Sequence, residues 1–191
     1  MIKAIIFDCF GVLAVDSWLP FKDEYFGNDR ALFEEASNLN RQADNGFISY
    51  DEFIHKIAEL AHVDPTFVRH EIENNPANTP LFRYIAQYLK PKYKLGFLSN
   101  SSGNWLDDLF TKEQIALFDN VLLSFETGYI KPDPRAYQAS LNALGVEASE
   151  AVMVDDQPRY CDAAKELGMT TVWYQGLAQF KHDLEHILSH T

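Results

Sequence analysis

The chain has 191 residues, 47% of them hydrophobic and 23% charged, with a formal net charge of −12. Such a composition supports a sizeable core and excludes global disorder. The acidic balance speaks against nucleic acid or an anionic membrane as a partner, no apolar run approaches membrane-spanning length, and two cysteines make no disulfide framework, which fits a cytoplasmic protein.

Residues 1–7 form a short apolar run and predict a buried strand. Lys3 inside it, and the lack of a small-residue cleavage site, make it a strand and not a signal peptide. Residues 14–89 have a different texture. Helical periodicity with polar faces runs through 29–44, 50–61, 65–73 and 79–89. Asp64 followed by Pro65 is a helix start, and Ser49 with Glu52 has capping-box spacing. After Pro91 strands and helices alternate. Strands are expected at 94–98, 120–124, 151–154 and 170–174, and helices at 104–110, 134–144, 158–167 and 177–188. Gly145 and Gly168 close two of the helices. This alternation predicts an α/β fold, a doubly wound parallel sheet of Rossmann-like type. The block between the first two strands reads as an inserted helical cap. The expected division is 1–13 and 91–191 for the α/β core and 14–90 for the cap.

Ligands of open parallel sheets bind beyond the carboxyl ends of the strands, so the residues following each strand carry the functional reading. They are Asp8; Ser99 and Asn100; Lys131, after a short loop at 125–130; and Asp155 with Asp156. Singly, each also reads as a turn or a helix cap. Together they have a chemical logic. Asp8 could act as a nucleophile. Asp8, Asp155 and Asp156 could hold a hard cation through oxygen, Mg²⁺ above all. Ser99 and the amides entering the next helix can bind an anion. Lys131 adds a positive charge for a phosphoryl oxygen or for Asp8, so that one anion can attack another.

With FDCFGVL around Asp8, LSN at Ser99, GYIKPDPRAY around Lys131 and VDD at Asp155–Asp156, the chain resembles the haloacid dehalogenase superfamily of hydrolases over nearly its whole length. The resemblance implies Asp8 as a nucleophile forming an aspartyl intermediate, and Ser99 with the Asn100 backbone holding the transferred group. It implies Lys131 orienting Asp8, and Mg²⁺ held by Asp8, the Phe10 carbonyl, Asp155 and Asp156. The chain departs from the family at two places. Most phosphatases of the family carry a second Asp two residues after the nucleophile, to protonate the leaving oxygen. Here that position is Phe10, which transfers no proton. Tyr160 stands where many relatives have Asn.

Three functions follow. The first is a Mg²⁺-dependent phosphatase of a small phosphorylated metabolite, restricted by Phe10 to leaving groups that need little protonation. The second is a metal-independent 2-haloacid dehalogenase, favoured by Phe10, by Ser99–Asn100 and by Arg41, which falls about where dehalogenases have a cap arginine that binds substrate. The third is a weakly active or non-catalytic binder of phosphate ligands. Asp155–Asp156 favours the first, because two adjacent acids beside Asp8 with no cation would repel an anionic substrate. Elsewhere, His182, Glu185 and His186 match a zinc pattern that lacks a third partner, and they read as an exposed helix face. Cys9 should point away from Asp8 and pack. Trp18 could line the pocket or pack at the junction of cap and core.

Overall fold

The computed structural model describes residues 1–190. Five parallel strands, β1 (Ala4–Phe7), β2 (Lys94–Ser99), β3 (Asn120–Leu123), β4 (Ala151–Asp155) and β5 (Thr170–Trp173), lie in the order β3-β2-β1-β4-β5. Their side chains alternate between two buried layers, as strands covered on both faces require. Ile5 and Phe7 enter one cluster with Phe97, Val154 and Phe180. Ala4 and Ile6 enter the other with Met153, Tyr137 and Leu141.

The chain leaves the sheet after Phe7, turns through 8–14 and builds four helices: α1 (Trp18–Phe26), α2 (Arg30–Asp44), α3 (Tyr50–Ala61) and α4 (Pro65–Glu73). Their starts follow from local chemistry. Asp29 accepts from the Ala31 and Leu32 amides, Ser49 from that of Glu52, and Asp64 from that of Thr66 with Pro65 in the first turn. Inside, Phe21, Phe26, Phe53, Ile57 and Val68 form a separate apolar core, against which Trp18 packs. Trp18 is therefore a packing residue of the insert, edge-on to Phe53 at 5.2 Å. The way back runs beside the way out. Ala14 bridges to Ala77, the Val15 amide donates to Pro76 O, and the Asn78 amide donates to Leu13 O.

The apolar contacts divide at a different place from the expected boundary at 90. Helix α5 (Thr79–Tyr84) and the π-helical turn Ile85–Leu89 that continues it bury Leu81, Phe82, Ile85 and Leu89 against the sheet, not within the insert. Their helical texture resembles that of the cap helices, but the partner of their apolar face is the α/β core. After β2 the expected helix over 104–110 is shorter, α6 (Leu106–Leu109), and an unexpected second short helix, α7 (Lys112–Ile115), follows it. Thr111 makes a capping box with Gln114 and starts α7 afresh. The expected loop after β3 contains one helical turn, α8 (Ser124–Thr127). Helices α9 (Pro134–Leu144), α10 (Pro158–Glu166) and α11 (Leu177–His190) complete the fold. Gly145 ends α9 in the left-handed region, at φ 63°.

Candidate active site

Register brings the proposed residues together. Phe7 pairs with Val154 across β1 and β4, and the Asp8 amide donates to Val154 O at 2.9 Å. One residue beyond that pair, Asp8 and Asp155 stand side by side. The strand order reverses here: the chain runs outward from β1 through β2 to β3, then returns to the other flank of β1 for β4. Crevices at such switch points are where open α/β sheets bind ligands.

Lys131 is 1% exposed and sits between the two acids, its Nζ 2.5 Å from Asp8 Oδ1 and 2.6 Å from Asp155 Oδ2. Burial works against its charge, but Asp155 and Asp8 outweigh burial and hold its pKa well above the ordinary lysine value. The side chain of Asn100 fixes the Lys131 backbone in both directions. Oδ1 accepts from the Lys131 amide at 2.7 Å, and Nδ2 donates to the Lys131 carbonyl at 3.0 Å. Tyr160 forms a wall, with its ring centroid 4.9 Å from Lys131 Nζ and its hydroxyl accepting from Arg159 at 2.8 Å. Tyr137 donates to the Tyr160 carbonyl at 3.0 Å. Tyr160 thus supplies an aromatic face to the buried ammonium.

Asp156 joins from the turn after β4. Its Oδ2 accepts from Gln157 Nε2 at 2.8 Å, and its carbonyl accepts from the Trp173 indole at 2.8 Å. Oxygens of Asp8, Asp155 and Asp156 lie within 4.8 Å of one another, and among the described residues no other set of three acids, histidines or cysteines does so. Three carboxylates around one ammonium leave an excess of negative charge. Burial pushes Asp8 up to about 8, with Lys131 opposing and Asp155 and Asp156 adding to the rise. Burial, and then Asp155, push Asp156 up to about 6. An all-oxygen, over-anionic set of this kind fits a hard divalent cation such as Mg²⁺. The turn 8–14 is shaped around it. Gly11 has φ 82°, and a Cβ there would stand 2.5 Å from the Asp156 carboxyl, so the Phe10–Gly11 peptide lies against that acid.

The other expectations divide. Ser99 is buried at the end of β2, and its hydroxyl donates to Asn100 O at 3.1 Å. The Phe10 ring turns to Trp105, at a centroid distance of 4.9 Å, and offers the site only its backbone. Arg41 is exposed in the last turn of α2, and among the described residues no hydrogen bond or ion pair joins its guanidinium to the cluster. Cys9 is fully buried in the core, where burial pushes its thiol well above the usual range. The histidines of α11 do not gather as a metal set. His182 pairs with Asp183 at 3.0 Å and His186 lies against His190. Sequence reasoning did not single out Gln157 and Arg159, which bond to Asp156 and Tyr160, or Asp44 and Ser124, which meet at the rim through the Asp44 carbonyl. One signal pointed to Asp44: an acid in the last turn of a helix opposes the helix dipole.

A family model of haloacid dehalogenase-like hydrolases matches residues 2–168. Phosphoserine phosphatase of Thermus thermophilus is 44% identical over 166 residues, 85% of this chain and 58% of that protein. Phosphatase MT3486 of Mycobacterium tuberculosis is 28% identical, covering 88% of this chain and 85% of its own length. The chain spans 39% of the bifunctional epoxide hydrolase 2 of Sus scrofa and 21% of that of Rattus norvegicus. Among solved structures, a HAD family enzyme of Bacteroides thetaiotaomicron in complex with magnesium and inorganic phosphate superposes with a TM-score of 0.68 at 25% identity, over 90% of this chain and 93% of that one. A dehalogenase with an intermediate complex shares the fold, with a TM-score of 0.67 at 21% identity over 92% of this chain and 87% of that one.

Proposed function

Because this chain belongs to the haloacid dehalogenase-like hydrolases, we propose that it is a Mg²⁺-dependent phosphatase of a small phosphorylated metabolite. The observation that carries this reading is the oxygen cluster of Asp8, Asp155 and Asp156 around buried Lys131. A dehalogenase working without metal has no use for Asp156 there. The magnesium and phosphate in the Bacteroides structure support the same reading.

In this mechanism Asp8 attacks phosphorus, the ester bond breaks, and water then releases phosphate from the aspartyl group. Lys131 holds the Asp8 carboxylate in place and offsets its charge. Ser99, with the amides that follow it, holds the phosphoryl oxygens. Mg²⁺, held by Asp8, Asp155, Asp156 and the Phe10 carbonyl, would neutralise charge on the phosphoryl group. The substrates to try first are phosphoserine and glyceraldehyde 3-phosphate, for which relatives are named. The test is phosphate and halide release, each with and without Mg²⁺. Phosphate release that disappears with chelator is expected. Halide release that survives chelator would overturn the proposal.

A further inference from the structure

Phe10 leaves the reaction without its usual proton donor, and phosphoserine and glyceraldehyde 3-phosphate are alkyl esters whose oxygen leaves poorly unless protonated. Two acids outside the metal cluster share its field, Asp16 and Asp44, and the Asp16 carboxyl is already engaged by the Trp18 and Leu19 amides. Asp44 ends α2, and its carbonyl accepts from the Ser124 hydroxyl at 3.2 Å. The same hydroxyl accepts from the Ser101 amide at 2.8 Å and shares its single proton between the Asp44 carbonyl and the Ser101 carbonyl, the latter at 3.1 Å. The end of the cap helix is thereby fastened to the loops that follow β2 and β3, at the rim holding Ser99 and Lys131.

The Asp44 carboxyl is oddly placed for a structural group. Among the described residues its hydrogen-bond donor is Asn40 Nδ2, at 3.0 Å, and no cation comes within 4.0 Å to make an ion pair. The helix end repels its charge. It nevertheless feels the charges of Arg159 and Lys131 from the core and of Asp16 from the connecting segment. Burial pushes it up to about 7, where an acid can both give and take a proton near neutral pH.

We propose that Asp44, carried onto the site by the cap helix, is the proton donor and acceptor that Phe10 cannot be. The inference rests on the phosphatase reading. As the Asp8 oxygen bonds to phosphorus and the ester P–O bond breaks, protonated Asp44 gives its proton to the departing oxygen, which leaves as an alcohol. The Asp44 carboxylate then takes a proton from the water that attacks the aspartyl phosphate. Phosphate departs, Asp8 is regenerated, and Asp44 is protonated again. The expected restriction to activated leaving groups is then lifted.

The test is single-turnover release of the leaving alcohol at saturating Mg²⁺, from p-nitrophenyl phosphate and from a panel of phosphoserine, glyceraldehyde 3-phosphate and glycerol phosphate. For the wild type, the best alkyl substrate should react within about a hundredfold of the aryl one. In Asp44→Asn the alkyl rate should fall by about 10²–10⁴-fold more than the aryl rate, and adding Phe10→Asp should restore it. Structural damage would lower both rates together. Equal losses, or no loss, overturn the inference. A wild type confined to aryl phosphates overturns it without any variant. A wild type that releases phosphate from neither class overturns the phosphatase reading itself, and this inference with it.

Discussion

The carboxyl edge of the sheet and the helical insert treat charge in opposite ways. At the sheet edge Asp8, Asp155 and Lys131 are buried together, each set by strand register or by a bonded backbone. The insert buries mainly aromatic and aliphatic side chains. Its buried Lys22 bonds to the Ser37 hydroxyl and lies over the ring of Phe33, and among the described residues it makes no ion pair. What the insert offers the site is a helix end, not a network. Parallel strands deliver several side chains to one rim at fixed spacing, so the sheet can concentrate charge and then neutralise it. A helical layer delivers one terminus at a time, which suits leaving-group chemistry or substrate choice better than construction of a charged centre.

Removing the proposed nucleophile is the sharpest way to break this comparison. Asp8→Asn should lower phosphate release by a factor on the order of 10⁴–10⁶ and abolish the phosphorylated species seen by mass spectrometry after acid quench. Turnover near the wild-type rate would mean that the chemistry does not reside on the sheet edge. Lys131→Met tests the neutralisation. It strands two buried carboxylates and should cost about 3–5 kcal/mol of stability, read from urea unfolding of the metal-free protein. Added Mg²⁺ should narrow the gap, because the cation offsets the same charges. An equal deficit at every Mg²⁺ concentration would separate the lysine from the cation site.

The same contrast explains what could be read from sequence. Asp8, Ser99, Asp155 and Asp156 each follow an apolar run that can only be a buried strand, so the run fixes both their place and their direction. Asp64–Pro65 and Asp133–Pro134 announce their helices in the same local way. The insert is legible as helical but not in its partners. Nothing in the periodicity of 79–89 says that Leu81 and Ile85 face the sheet and not the cap core. Helix α1 carries no clear amphipathic stripe, and its start is fixed by Asp16, which accepts from the Trp18 and Leu19 amides. Arg41 and Asp44 lie three residues apart in one helix turn. Resemblance pointed to Arg41, whereas the structure fastens the Asp44 end to the rim, because which residue of a helix end meets a distant loop is a tertiary matter.

Asp44 carries a stability signature of the same sign as those of Asp8 and Asp156, and it can be read without touching the metal cluster. Its ordinary pKa is 3.8, and burial raises it to about 7, with Arg159, Lys131 and Asn40 opposing the rise and Asp16 adding to it. The proton it retains in the fold stabilises fully below pH ~4, and that contribution is lost as pH rises through ~7. Asp44→Asn should therefore match the wild type near pH 4 and exceed it by up to a few kcal/mol at pH 8. Urea unfolding at both pH values measures this. A variant less stable than the wild type at pH 8 would make Asp44 a structural anchor and not an acid held against its preference.

The smallest effect tests how finely the sheet edge is fitted. Gly11 touches no substrate in the proposed mechanism, yet its φ is 82°, and an added Cβ would stand only 2.5 Å from the Asp156 carboxyl, which leaves no room for a side chain. In Gly11→Ala the turn must open or Asp156 must swing away, and either change loosens the cation's oxygen set while Lys131 still holds Asp8 and Asp155. Supporting contacts of this kind are worth about 10–100-fold in metal affinity. The expected outcome is weaker Mg²⁺ binding by that factor in calorimetric titration, with the rate at saturating Mg²⁺ lowered much less. A fall in rate without a change in Mg²⁺ affinity would place Asp156 with the reacting phosphoryl group, and the three-carboxylate set would then shrink to Asp8 and Asp155.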